Sequence, residues 1–265
     1  MTKLIEFKNL QGETLRALFD KTDSDMGVIF VHGFERTTIE SKFKNINDSI
    51  KGQVNTWRFD FSGTGLSDGK FEDFSIKKVV DELSVAIEAF QVNCPQVKKL
   101  CVVGHSIAGC IILQFLAETK GDVVKLVLLA PAFNQKTLLR YWFTRSQYKD
   151  KNITWDNYSE YLDEDEFIKD TEVDNRMIKE HYLSNNYWLE NRDRDYQILY
   201  KDIDFNWESM LLIHGLGDNK VPLASNDKLP ADIQTIEVEN GDHDLQRPDM
   251  VEQYLDKVIN FILDV

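Results

Sequence analysis

Apolar residues fall along this chain in short runs that alternate with helical stripes. LIEFKN and TLRALFD, separated by the turn residues Gln11 and Gly12, read as two short strands. GVIFVHG is a continuous apolar run closed by glycine, the pattern of a strand buried on both faces. VNTWRFD, KKLCVVG, VVKLVLLAP, WESMLLIHG and IQTIEVENG repeat the theme. Helical spacing lies between these runs. Over residues 73–91, Val79, Leu83, Ile87 and Phe90 share one face. SIAGCIILQFLAETK predicts a second helix. Residues 248–263 predict a closing one, with Val251, Tyr254, Leu255, Val258 and Phe261. Strands alternating with helices predict an α/β fold: a mostly parallel central sheet flanked by helices.

The alternation breaks once. Residues 134–205 hold eight of the nine tyrosines and three of the five tryptophans, with charge-dense pieces such as YLDEDEF and NRDRDY. Helical stretches are expected here, with Val173, Met177 and Ile178 on one face with Tyr182. The segment is too long for a plain loop in a compact sheet. Its place in the chain predicts a helical lid or cap over the carboxyl edge, carried by a core of residues 1–133 and 206–265.

In sheets of this kind ligands bind outside the carboxyl ends of the strands. His32-Gly33, the turn Ser62 to Ser67, Ser106, Asp218 and His243 all fall at such ends. Ser106 sits in VVGHSIAGC, a strand end, a tight turn and a helix start. A serine hydroxyl is a poor nucleophile until a base takes its proton, an acid orients that base, and donors await the oxyanion. Five histidines are available. His32 and His105 belong to turns where the backbone matters most, His214 ends an apolar strand as a structural residue, and His181 lies in the inserted segment. His243, in ENGDHDL between the last strand and the closing helix, is the expected base. Asp218, in LLIHGLGDNKVP after the preceding strand, is the expected acid. Asp242 and Asp244 flank His243 too closely to fold back onto its ring. The order Ser, Asp, His is that of a nucleophile-elbow hydrolase. The expected oxyanion donors are the backbone N–H groups of Ile107 and of Phe34, the latter in the HGF loop. The Phe34 side chain is expected at the acyl pocket. Arg58 and Asp60, beside the glycine-rich SGTGLSDG, are expected to brace that turn.

Charge narrows the partners. Forty-five acidic and 31 basic residues give a formal charge of −14, which argues against nucleic acid and anionic membrane surfaces. Cys94, Cys101 and Cys110 show no metal spacing and read as buried free thiols, so no metal is expected. MTKLIEFKNL lacks the apolar core of a secretory signal, and no apolar run reaches membrane-spanning length. The expectation is a cytoplasmic monomer or homodimer acting on a small molecule.

These residues together resemble the α/β-hydrolase superfamily, from VIFVHGF to GDH. Within it, RFDFSGTGLSDGKFEDFSI and VLLAPAF are similar to the bacterial cinnamoyl/feruloyl esterase group. The resemblance implies cofactor-free hydrolysis of carboxylic esters through an acyl-enzyme, with nucleophile, acid and base at Ser106, Asp218 and His243. The same triad also serves thioesters, carbon–carbon bonds and N-terminal peptide bonds. A binding protein on the same fold is the remaining alternative. The chain departs from the group at Ala108, where glycine is usual, in its longer inserted segment, and in HGFERT, which sets Glu35 and Arg36 beside the oxyanion loop.

Overall fold

The computed structural model describes residues 1–119, 123–178, 181–230 and 232–264. The chain opens with β1 (Lys3–Lys8), β2 (Thr14–Asp20) and β3 (Met26–Val31), then α1 (Ser41–Ile50) and β4 (Asn55–Asp60). It continues through α2 (Ile76–Asn93), β5 (Lys99–His105), α3 (Ala108–Glu118) and β6 (Val123–Leu129). An insertion follows with α4 (Gln135–Gln147), α5 (Glu164–Thr171), the hairpin β7 (Arg176–Ile178) and β8 (His181–Leu183), and α6 (Asn186–Asn191). The chain closes with β9 (Met210–Gly215), β10 (Gln234–Val238) and α7 (Pro248–Leu263).

Eight strands form one sheet in the order β1-β2-β4-β3-β5-β6-β9-β10. β1 pairs β2, and β2 pairs β4, antiparallel; every later pairing is parallel. Side chains of a strand alternate between faces, and the two cores divide accordingly. Val28 and Phe30 pack with Phe43, Ile46 and Ile50 of α1 and with Val251, Tyr254 and Val258 of α7. Ile29 and Val31 pack on the other face with Val79, Leu83 and Phe90 of α2 and Ile111 and Phe115 of α3. Leu139, Phe143, Phe167, Tyr187, Trp188 and Tyr196 of the insertion join this second core. These inserted aromatics extend the main core, while Tyr141, Trp155 and Tyr158 pack on one another, with Trp155 against a smaller cluster of Leu138 and Val221.

Two sequence expectations change. The helix α1 is not evident from the apolar pattern, because SKFKNINDSI is dominated by polar residues. Its stripe of Phe43, Ile46 and Ile50 is nonetheless fully buried, and two polar residues are buried with it. Lys42 pairs with Glu40 at 2.9 Å, and Asn47 accepts from the Thr56 hydroxyl at 2.7 Å. The second change concerns Val173, Met177, Ile178 and Tyr182, which do not share a helix face. α5 ends at Thr171, Asn175 takes a left-handed φ of 49°, and Met177 pairs opposite Tyr182 in the β7–β8 hairpin. A left-handed residue cannot continue a right-handed helix, and β pairing replaces it. Residues 179 and 180, between these strands, lie outside the described residues.

Candidate active site

The three predicted residues meet at the carboxyl edge of the sheet. β5 runs into a sharp turn in which Ser106 adopts φ 59°. That conformation costs a non-glycine residue about 1–3 kcal/mol, and the surrounding structure must enforce it. The Ser106 N–H donates to the Leu129 carbonyl at 3.0 Å, and its own carbonyl accepts from Gly109 at 3.0 Å and Ala132 at 2.9 Å. Tight packing completes the restraint. A Cβ on Gly104 would stand 2.6 Å from Ile112, and one on Gly109 2.8 Å from Phe133 and Pro131. Ala108, between them, is fully buried. The space limit thus falls on Gly104 and Gly109, and a methyl fits at Ala108.

His243 bridges the other two groups. Its Nδ1 lies 2.8 Å from Asp218 Oδ2 and its Nε2 lies 2.9 Å from Ser106 Oγ. With Nδ1–H donated to the carboxylate, Nε2 is left to accept the serine proton. The Asp218 carboxylate is wholly buried, and its Oδ1 accepts the N–H groups of Lys220 and Val221, each at 2.9 Å. Asp242 caps its own turn by accepting from the N–H groups of Asp244 and Leu245. Asp244 pairs with Arg36 at 2.7 Å, which ties the base loop to the HGFERT loop.

His105 has a larger part than its turn alone suggested. Nε2–H donates to the His243 carbonyl at 2.8 Å, and a Cβ on Gly33 would stand 2.9 Å from its Nδ1. The ring is thus wedged between the base loop and the HGF loop. Burial, with Lys42 next in weight, holds its pKa well below the ordinary imidazole value, so it stays neutral. His32 is likewise neutral through burial. It donates to the Gly33 carbonyl at 2.8 Å and accepts from the Phe61 N–H at 3.0 Å. Asp60 braces the glycine-rich turn as expected by accepting the Leu66 N–H. It also ties down the HGFERT loop by accepting from the Thr37 and Thr38 hydroxyls and the Thr38 N–H, whereas Arg58 makes no hydrogen bond to the turn among the described residues. Gly65 must lack a side chain there, because a Cβ would fall 2.0 Å from Asp60 Oδ2.

Phe34 and Ile107 both line a cavity of about 490 Å³ that reaches Ser106 and His243. Neither N–H donates to a protein acceptor among the described residues. The insertion supplies much of the remaining wall, including Leu139, Trp142, Phe143, Phe167, Ile178 and Trp188. Charged groups in the wall are paired. Asp170 holds Arg176 at 2.6 Å, whose guanidinium covers the Trp188 ring, and Glu35 faces His181 at 3.3 Å. Among the described residues no cluster of His, Cys, Asp and Glu is arranged to hold a metal ion. Nor is any helix there long and apolar enough to cross a membrane.

Residues 22–244 match the family described as serine aminopeptidase, S33. The chain belongs to this family of α/β-hydrolases. Solved structures are similar to the hydrolase over nearly its whole length. Est1E from Butyrivibrio proteoclasticus, bound to ferulic acid, superposes with a TM-score of 0.70 at 18% identity, covering 98% of this chain and 96% of that one. Esterase Pf2001 from Pyrococcus furiosus gives 0.68 at 18% identity, with 99% and 90% covered. Mouse α/β hydrolase domain-containing protein 10 gives 0.63 at 16% identity, with 98% of each covered. At these identities the likeness is one of fold. No curated protein matches the sequence significantly.

Residues with no mark in the sequence also reach the neighbourhood of the site. Trp142, Tyr141 and Arg145 reach the loop after Asp218 from α4. No pattern along the chain marks these contacts, because they join residues more than 70 positions apart. His105 was visible as a turn residue, but its bond to a carbonyl 138 positions away was not.

Proposed function

We propose that the hydrolase cleaves carboxylic esters with small to medium acyl or aryl groups through an acyl-enzyme on Ser106. The observation that carries this reading is the His243 imidazole, held 2.8 Å from Asp218 and 2.9 Å from Ser106 at one end of an aromatic-walled cavity. Ser106 Oγ attacks the acyl carbonyl while His243 Nε2 takes its proton. The oxyanion is received by the N–H groups of Phe34 and Ile107, and removing one such donor typically costs about 3 kcal/mol of transition-state stabilisation. His243 then gives the proton to the leaving alkoxide. A water, deprotonated by His243, cleaves the acyl-enzyme, and Asp218 stabilises the imidazolium in both halves. Residues 134–205 act as the cap of this site, and Phe34 borders the acyl group.

A second reading keeps the triad and changes the bond. The family description names an aminopeptidase, and Asp170 and Glu35 are carboxylates in the cavity wall. Asp170 is engaged by Arg176 and Glu35 faces His181, which favours a neutral acyl group over an α-ammonium. A panel of p-nitrophenyl esters, methyl cinnamates, acyl-CoA thioesters and aminoacyl p-nitroanilides decides between them. Highest kcat/KM on the oxygen esters is expected. Highest kcat/KM on the anilides overturns the ester reading and supports the peptidase one.

A further inference from the structure

We infer that α4 is a positioning element for the acid, acting on Asp218 through the two peptide units that donate to its carboxylate. The inference rests on the proposed roles of Asp218 and His243. Asp218 Oδ1 accepts from Lys220 N and Val221 N. These are the N–H ends of the 219–220 and 220–221 peptides. The carbonyl ends of the same two peptides accept donors from α4. The Tyr141 hydroxyl donates to the Asn219 carbonyl at 3.0 Å, and the Arg145 guanidinium donates to that carbonyl too. Trp142 Nε1–H donates to the Lys220 carbonyl at 2.6 Å. Each peptide is therefore held at both ends, by α4 at the oxygen and by Asp218 at the nitrogen.

A donor on a peptide carbonyl polarises the amide and strengthens its N–H as a donor. The α4 side chains thus set how firmly Oδ1 is gripped, and so how Oδ2 meets His243 Nδ1. The next carbonyl, that of Val221, accepts His214 Nε2–H at 2.7 Å from the core side. Three successive carbonyls after the acid are taken by side chains. Burial raises the Tyr141 phenol above its ordinary pKa, so it remains a donor. Burial also lowers the pKa of His214, which keeps it neutral. Tyr141 is almost wholly buried and lies outside the cavity wall, whereas Trp142 both borders the cavity and donates to the loop.

Several charged or titratable groups stand around the Asp218–His243 pair. Lys220, Arg36 and Asp244 lie at the loops, His214 and His105 come from the sheet, and Arg145 comes from α4. A test must therefore leave charge unchanged. Tyr141→Phe does so and retains the ring, and Trp142→Phe does so and keeps a smaller aromatic side chain in the cavity wall. In the double variant the carboxylate loses two indirect donors and holds the imidazolium more strongly. The acid limb of the kcat/KM profile is expected to move to higher pH. Because Oδ1 is gripped less firmly, Oδ2 meets His243 Nδ1 in poorer alignment, and on the order of three- to tenfold is lost from kcat, with a smaller change in KM. The His243 Nδ1 proton resonance shifts. Leu139→Ala, in the cavity wall without a bond to the loop, is expected to change KM and leave the limb in place. An unmoved limb together with an unmoved Nδ1 resonance in the folded double variant overturns the inference. If that variant does not fold, Trp142→Phe alone is read by the same two signals. The resonance needs no turnover, so it still decides if the protein hydrolyses no ester.

Discussion

At the scale of single residues, the site depends on a serine held in a backbone conformation that serine rarely adopts. Gly109 shows how little slack the elbow has. Its missing Cβ would lie 2.8 Å from both Phe133 and Pro131. Gly109→Ala is expected to lower stability by about 1–3 kcal/mol, read from urea midpoints, and to reduce kcat as the turn shifts. Asp218→Asn removes the acceptor for His243 Nδ1–H and favours the wrong imidazole tautomer. Stopped assays are expected to register a kcat loss of roughly 10⁴-fold with the fold intact, as circular dichroism would verify. Ser106, Asp218 and His243 were legible in the sequence because each follows a strand that the apolar runs already mark. Chain order then brings all three to one edge. The grip on Asp218 Oδ1 was not legible, since it depends on which carbonyls α4 reaches across more than 70 residues.

Elements reveal where pattern and packing part company. The eight main strands were legible because runs such as GVIFVHG and VVKLVLLAP must be buried on both faces. α1 was hidden because buried Lys42 and Asn47 find polar partners inside, which hydropathy alone does not register. The β7–β8 hairpin was misread as helix because three-residue strands are too short to display a period of two. The insertion is instead knit by a polar hub. Arg140 on α4 makes bonds to both Glu164 oxygens, donates to the Lys136 and Arg192 carbonyls, and covers the Phe167 ring at 4.5 Å. Arg140 itself is mostly buried, but Glu164 is half exposed, so water can meet the acceptors that its loss would free. Arg140→Met is expected to cost about 1–2 kcal/mol. Hydrogen exchange should rise across α4, α5 and α6 while β5 stays protected. Equal loss of protection in β5 would mean that the insertion has no local stability of its own.

The whole molecule carries buried histidines that tie its stability to pH. Burial lowers the pKa of His32, His105 and His214 below the ordinary 6.5. Below that value the unfolded chain binds protons that the folded protein refuses. Stability is therefore fully present above pH 6.5 and is lost as pH falls, by about 1.4 kcal/mol per pH unit for each fully coupled group. Buried Glu82, with its pKa raised from 4.5 by burial, works in the opposite direction. Its stabilisation is present below pH 4.5 and fades as pH rises above it, so it offsets part of the loss at the acidic end. Melting temperatures measured from pH 7.5 to 5 should fall, and replacing His214 by Gln should flatten the decline. The most direct measurement of the proposed mechanism is intact-protein mass spectrometry after treatment with a fluorophosphonate. One equivalent of label on the peptide containing Ser106 is expected, with none in Ser106→Ala and strong slowing in His243→Ala. Undiminished labelling of Ser106→Ala, or no label on the folded wild-type protein, would contradict Ser106 as the nucleophile.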